Sequence, residues 1–395
     1  DLAAMAAEYD CFQASPGLND ESPAAIVNLE PFLAADTSVR KDDFFSSVLD
    51  QFVYQGQLWG LPGNVSVSLV NYNKELFDAA GLAYPTADWT TSDFLEMAVA
   101  LTHGSGEDEQ YGYVPMFSEA NDLITILDRL GANLLDESED PPRVVLSSPE
   151  AVEAFRWYTS LVTQYHVQPV FDDESGDPGL SMRDRMALID EGRAAMWLSS
   201  GSVRSFTVGR GEVMVQGFAE SADAADSTRG VAPLPAGPNS AQGSGFQSVD
   251  GYFISAQSDA RQACWTWISF LTQHVTSTSG LPARRSVAES AEYRQLVGEE
   301  RAEATLASVN SGSKPSIYQR ISDEGNWIGF SSLWLSDAYE RVIDGEATVE
   351  EALADAQEMS DKYRDCIIAN DAFQDPQAMS ACLSESGMNL IPEMP

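Results

Sequence analysis

At 395 residues the chain is longer than one ordinary hydrophobic core organises, so two lobes are the default expectation. Hydrophobic residues reach 44% and aromatics 10%, enough for packed cores, while 61 Asp and Glu against 22 Lys and Arg leave a formal net charge of −39. That excess argues against nucleic acid and anionic membrane as partners, since both demand a basic face, and it suits a protein kept soluble outside a cell.

Short apolar segments alternate with amphipathic helices through most of the sequence, the pattern of an α/β fold. Leu2 to Ala7 reads as a strand running into a helix, and Val65 to Tyr72 alternates with period two, as a strand with one polar face. Asn73 to Ala80 reads as a short helix closed by Gly81. One of Thr90, Thr91 and Ser92 caps a helix from Asp93 to Thr102, with acidic Asp93 in its first turn. Ser148-Pro149-Glu150 opens a long helix to about Tyr165, Pro taking the first helical position. Met182 to Glu191 is a further helix, closed by Gly192 before the apolar stretch Ala194 to Leu198. Glu220 to Gln247, rich in Gly, Ser, Ala and Pro, reads as loops around a short strand at Gly230 to Leu234. Tyr252 to Ser255 is a strand, Asp259 to Thr272 a helix, and Gly280 to Arg285 a turn before more helix. Ser311 to Pro315 reads as a linker, Leu333 to Ile343 and Val349 to Cys366 as helices, and residues 371–395 as an irregular tail. No internal repeat of fixed period is visible.

Catalysis needs converging reactive groups, and the sequence offers few. His103, His166 and His274 lie far apart, with no HExxH or H-x-H spacing. No G-x-S-x-G elbow and no Gly-rich phosphate loop is present, and Ser311-Gly-Ser-Lys314 lacks the companion elements of a serine acyl-enzyme. The acidic turn Asp172 to Asp177 has its glycine in the wrong place for a calcium loop. No metal or cofactor is called for. With so many carboxylates, a glycosidase-type acid/base pair is the alternative class. No apolar run approaches the ~20 residues of a membrane span, and no signal-peptide pattern opens at Asp1. Cys11, Cys264, Cys366 and Cys382 form no CxxC pair, and an even count in an exported protein permits two disulfides. Cys366 and Cys382 are close enough in sequence to staple the tail. Cys11 with Cys264 would join distant segments, and four buried thiols is the alternative.

Several blocks carry a resemblance. Tyr72-Asn-Lys-Glu-Leu-Phe-Asp-Ala-Ala-Gly-Leu82, then Tyr84-Pro-Thr-Ala-Asp-Trp89 and Asp93-Phe-Leu, resemble a recurrent block of the family 1 extracellular solute-binding proteins, which include maltodextrin binders. In the same order come Gly56 to Pro62, Glu191 to Met196, Gly230 to Pro235, Ala263 to Thr272, Leu281 to Arg285 and Asp344 to Leu353. The resemblance implies a two-lobed, class II periplasmic-binding-protein-like α/β fold with three hinge crossings, near Asn64–Leu69, Gln247–Gly251 and Ser311–Pro315. Lobe one would hold residues 1–64 and 252–312, lobe two 68–247 and 316–370, with 371–395 as a tail. Asp1-Leu-Ala-Ala resembles the continuation of an earlier strand–helix–strand, so an upstream segment of roughly 50–70 residues is expected to precede it. Lobe one would then lack a central strand and helix.

The function implied is that of an extracytoplasmic, periplasmic or surface-anchored, component of an ABC importer. It would capture a sugar-like solute by hinge closure and do no chemistry, working as a monomer with membrane permease subunits as partners. Sugars need aromatic platforms and short polar groups. Carried over position by position, the resemblance points to Glu8 and Tyr9 at the lobe-one rim, Asn64 and Ser66 on the first crossing, and Glu119 and Asn121 in a lobe-two loop. It further points to Ser202 and Arg204 after the Ala-Met block, to Gln247 and Asp250 at the second crossing, and to Trp327, Phe330, Ser331 and Ser332 before a C-terminal helix. Trp197 and Trp334 are expected in cores. Where maltodextrin binders carry stacking Trp residues this chain has Val203 and Ser332, so the platforms would move to Tyr9, Trp327 or Phe330.

Overall fold

The computed structural model describes residues 2–387 apart from 117–118, 172–177, 201–204, 210–211, 217–227, 241–242, 313, 318, 321–325, 330 and 374. The strands of the two main sheets and of the links between them are, in chain order, β1 (Cys11–Ala14), β2 (Leu61–Ser66), β3 (Ser68–Asn73), β4 (Met196–Ser200), β5 (Arg229–Pro233), β6 (Ser244–Phe246), β7 (Ser248–Ile254), β8 (Leu281–Pro282) and β9 (Lys314–Pro315). One sheet runs β1-β7-β2-β8 and the other β5-β3-β4, while β6 pairs with β9 between them. The helices used below are α1 (Leu2–Glu8), α2 (Lys74–Ala80), α3 (Thr91–Leu101), α4 (Glu119–Arg129), α5 (Pro149–Thr163), α6 (Pro178–Asp190), α7 (Arg261–Leu271), α8 (Glu299–Ser311), α9 (Ser331–Ile343), α10 (Val349–Asn370) and α11 (Pro376–Glu385).

Apolar side chains sort into two main cores, which makes the α/β fold two-lobed. Residues from Leu2 to Leu69 and from Phe246 to Val309 bury their side chains in the first. The second takes Val70 to Leu234 and Ile317 to Leu383, with Trp197 in a small satellite beside it. The chain therefore changes lobes between Leu69 and Val70, between Leu234 and Phe246, and between Val309 and Ile317.

Local chemistry sets the helix ends of the second lobe. Asn73 accepts from the Glu75 and Leu76 N–H groups, and Gly81 closes α2 at φ 68°. Thr90 and Asp93 form a capping box on α3, Thr348 and Glu351 another on α10, and Ser148 caps α5 with Pro149 at its first position. α6 starts at Pro178 and ends before Gly192, at φ 70°.

The segment expected as one strand, Val65 to Tyr72, is two. Val67 leaves the ladder, so Ser66 pairs with Ser248 in one sheet and Ser68 with Ser200 in the other. The alternation of Val65 to Leu69 breaks at Leu69–Val70, where the buried side chains pass from the first core to the second. Leu2–Glu8 is helical from its start, as its run of Ala, Leu and Met favours. Leu281–Pro282 is a short strand on β2, and β7 begins at Ser248, before Tyr252. The expected irregular tail contains α11, capped by Asp375, which buries Met379, Cys382 and Leu383. Cys366 bonds Cys382 and fastens α11 to α10, and Cys11 bonds Cys264 and fastens β1 to α7.

Candidate functional site

The first lobe's sheet ends in a polar edge where the chain crosses to the second lobe. β1 finishes at Ala14, opposite Gly251, and the next residue, Ser15, donates its hydroxyl to Asp250 Oδ1 at 3.2 Å. On the neighbouring strand Asp250 faces Asn64, and Ser248 faces Ser66. Across the first crossing, Ser68 opens β3 beside Ser200 at the end of β4, and Leu69 lies beside Pro233 at the end of β5. Strand ends of both sheets thus converge on one line, the place where open sheets hold ligands. Burial pushes the Asp250 carboxyl up from its ordinary value, and the Ser15 hydroxyl bond partly offsets it.

Behind that edge the three crossings share a polar node. Asp128, on α4, is 1% exposed; its Oδ2 accepts from the Ile317 N–H at 2.9 Å, and its Oδ1 lies 4.0 Å from Lys314 Nζ. Burial raises the Asp128 carboxyl and lowers the Lys314 ammonium, while each charge favours the other. Ser68, Asp128, Gln247, Ser308 and Ser316 line a cavity of about 20 Å³, room for roughly one water. β6 and the end of α8 meet here through glycines. A Cβ on Gly245 would stand 3.0 Å from Gly312 N, and one on Gly312 would stand 2.1 Å from Gly245 N. The two crossings therefore touch backbone to backbone.

The residues expected to bind a ligand separate into groups. Asp250 and Ser66 lie on the polar edge, and Ser66 keeps its side chain half-buried while its carbonyl accepts from the Gln247 N–H. Gln247 lines the hinge cavity. Asn64 is 8% exposed, and its Oδ1 accepts from the Gly280 N–H at 2.6 Å; it pins the turn before β8, which is a structural task. Glu8 closes α1 and Tyr9 follows it, both exposed, and the Glu8 charge raises the Tyr9 hydroxyl.

Glu119 and Asn121 lie in the first turn of α4, not in a loop. Trp327 is 4% exposed and packs edge-on against Phe373 at 5.6 Å, so it is a core residue and no platform. Ser331 opens α9, and Ser332 donates to the Gly329 carbonyl at 2.9 Å. Ser202, Val203, Arg204 and Phe330, with the acidic turn 172–177, lie outside the described residues. Trp197 and Trp334 are buried in cores. Ser15 was absent from the expected set; its only signal was a Ser-Pro pair just after a short apolar segment. Among the described residues no His, Cys, Asp and Glu group could hold a metal ion, and no helix is long and apolar enough to cross a membrane.

A family model described as bacterial extracellular solute-binding protein matches residues 1–275. A putative binding protein of Brucella abortus is 25% identical over 236 residues, 59% of this chain and 51% of that one. The mannitol-binding protein of Pseudomonas aeruginosa is 29% identical over 195 residues, 47% of this chain and 41% of that one. The chain thus spans about half the length of the curated relatives it matches. Among solved structures, the sugar-binding protein MalE of Xanthomonas citri superposes with a TM-score of 0.67 at 19% identity, covering 93% of this chain and 86% of that one.

Proposed function

The chain belongs to the bacterial extracellular solute-binding proteins, and on that premise we propose that it captures a sugar or polyol for an ABC importer and hands it, unaltered, to permease subunits in the membrane. The proposed division is residues 1–64 with 252–312 against 68–247 with 316–370; the partition of apolar side chains supports its outline, while Leu69, Phe246 and Val249 pack in the first core and Ala372 to Leu383 in the second. The protein works outside the cytoplasm as a monomer.

The observation that carries this reading is the polar edge at the crossings. Ser15, Ser66 and Asp250 offer two hydroxyls and a carboxylate on one lobe, and Ser66 stands two residues before Ser68 opens the other lobe's sheet. A polyhydroxylated solute presents rows of O–H donors that such acceptors match. A solute touching both lobes favours the arrangement in which both sets of contacts form, and closure follows from that difference. The proposed contacts are Glu8, Tyr9, Ser15, Ser66 and Asp250 from one lobe, and Glu119, Asn121, Ser202 and Arg204 from the other. The mannitol-binding and MalE relatives support the solute class.

Titration with mannitol, ribitol, maltose and maltotetraose, read by tryptophan fluorescence, tests the proposal. Saturable binding without turnover is expected for at least one of them. Asp250→Asn should weaken that binding roughly ten- to a hundredfold, the value of about 1.5–3 kcal/mol for a hydrogen bond to a charged group. Because burial raises the Asp250 carboxyl, acidification should protonate it above the ordinary Asp value of ~3.9, and affinity should fall through that window in the parent but not in Asp250→Asn. No binding across the panel sinks the sugar reading. Product formation abolished by removing one cleft carboxylate would establish a hydrolase instead.

A further inference from the structure

Helix α8 lies on the boundary between the lobes. Its Ala302, Ala304 and Val309 are buried in the first core, while the helix packs along β5 and β3 of the second lobe's sheet. In its first turn Glu300 brings a carboxylate to the point where two donors of that sheet and one from the start of α2 meet. Oε1 accepts from Tyr72 Oη at 2.6 Å and from the Val231 N–H at 3.0 Å, and Oε2 accepts from Lys74 Nζ at 2.6 Å. The sequence makes room for this. Tyr72 and Gly230 face each other across β3 and β5, and a Cβ at Gly230 would stand 2.1 Å from Tyr72 Cζ. Only glycine lets the ring lie over β5 and deliver its hydroxyl to α8.

Three features bear on what the contact does. It ties α8, whose apolar side chains fill the first core, to Tyr72, which is buried in the second, so a change in how the cores sit bears directly on the Glu300–Tyr72 bond. It is charge-assisted and branched, which makes it geometrically demanding. It is also remote from the polar edge: β3 starts there at Ser68, and Tyr72 lies four residues further along, roughly 13 Å at about 3.3 Å per residue. A solute at that edge does not reach Glu300.

We propose that Glu300 is a positioning residue whose carboxylate clasps the second lobe's sheet to α8, and so sets the balance between this lobe arrangement and its alternatives, tuning solute affinity without contacting solute. The inference rests on the two-lobed capture reading, but its decisive measurement needs no ligand. Small-angle X-ray scattering of the ligand-free full chain should give a shifted pair-distance distribution for Glu300→Ala. Tyr72→Phe and Lys74→Met, which each delete one donor and leave α8 untouched, should shift it less and in the same direction. Glu300→Gln, which keeps an oxygen acceptor, should restore much of the parent profile. If mannitol binds the parent, its dissociation constant should move at least fivefold in Glu300→Ala, in step with the scattering. A parent-like distribution in Glu300→Ala, Tyr72→Phe and Lys74→Met overturns the clasp, even if their melting temperatures fall, because a merely structural contact would do no more than that. Failure of every sugar and polyol to bind would count against the sugar reading alone, since the scattering decides the clasp without them.

Discussion

The two lobes are put together differently. The first joins chain segments far apart in sequence: β1 pairs with β7, and Cys11 bonds Cys264 across a separation of 253 residues. The second fills its core from long runs of neighbouring helices, and its disulfide, Cys366–Cys382, spans 16 residues. Helix ends follow the same division with one exception. Asn73, Thr90, Ser148, Thr348 and Asp375 cap second-lobe helices with their side chains. In the first lobe α7, α8 and the short helices at Ser22–Ala25, Glu30–Ala35 and Ser46–Leu49 have no side-chain cap, whereas Ser290 caps Ala291–Val297 by accepting from the Tyr293 N–H. More helix ends of the second lobe are set by local caps, although its sheet and the Arg143–Asp361 pair are long-range too; the longer disulfide loop belongs to the first lobe, so covalent closure matters more there.

The largest test of that contrast removes the bridges. In the chain-entropy view, a 253-residue loop constrains the unfolded chain by about 5 kcal/mol, while a 16-residue loop does so by about 3 kcal/mol. Cys11→Ser with Cys264→Ser should therefore destabilise the first lobe more than Cys366→Ser with Cys382→Ser destabilises the second. Urea titration followed by hydrogen exchange, peptide by peptide, resolves the lobes; equal losses would break the comparison.

Acid should separate the lobes less strongly. Asp43, in the first lobe, is pushed up by burial, but bonds from Ser286 and Arg284 outweigh this and hold its carboxyl below the usual value. A depressed carboxyl stabilises above its unfolded pKa of ~3.9 and loses that contribution as pH falls through the folded value. Asp128 has the opposite sign: its raised carboxyl carries a burial cost that protonation relieves on the way down. Urea midpoints taken from pH 6 to pH 3 should drop in the first lobe, and Asp43→Asn should flatten that limb. A drop left intact in Asp43→Asn would assign it to other groups.

The smallest expected effect is a cap. Thr90→Ala removes the side-chain half of the box on α3 and should cost about 1 kcal/mol, confined to the second lobe and read as a shift in melting temperature. A loss spread over both lobes would blur the distinction.

This division also explains what the sequence discloses. Second-lobe helices were readable because caps and closing glycines are local signals: Ser148-Pro149, Thr90 with Asp93, Gly81 and Gly192 each do their work within a few residues. First-lobe strands such as Cys11–Ala14 and Leu281–Pro282 are too short to carry a period, and their partners lie far along the chain. The polar edge was half readable. Asp250 and Ser66 follow from their place at the crossings, whereas Ser15 depends on a pairing more than 230 residues away. Trp327 shows the converse: nothing in a single sequence distinguishes a ring that stacks on a ligand from one that packs against Phe373. Glu300 had no local signal at all, since its three partners lie far away in sequence.

The glycine contact between Gly245 and Gly312 carries a mechanical consequence. Two ribbons pressed together without side chains between them behave like the leaves of a spring. They flex together about the line on which they touch, and they resist being sheared or wrung independently. In the proposed capture, such a contact would reduce relative motion of the halves toward a single swing, so that a solute would meet the same opposing surface each time they come together.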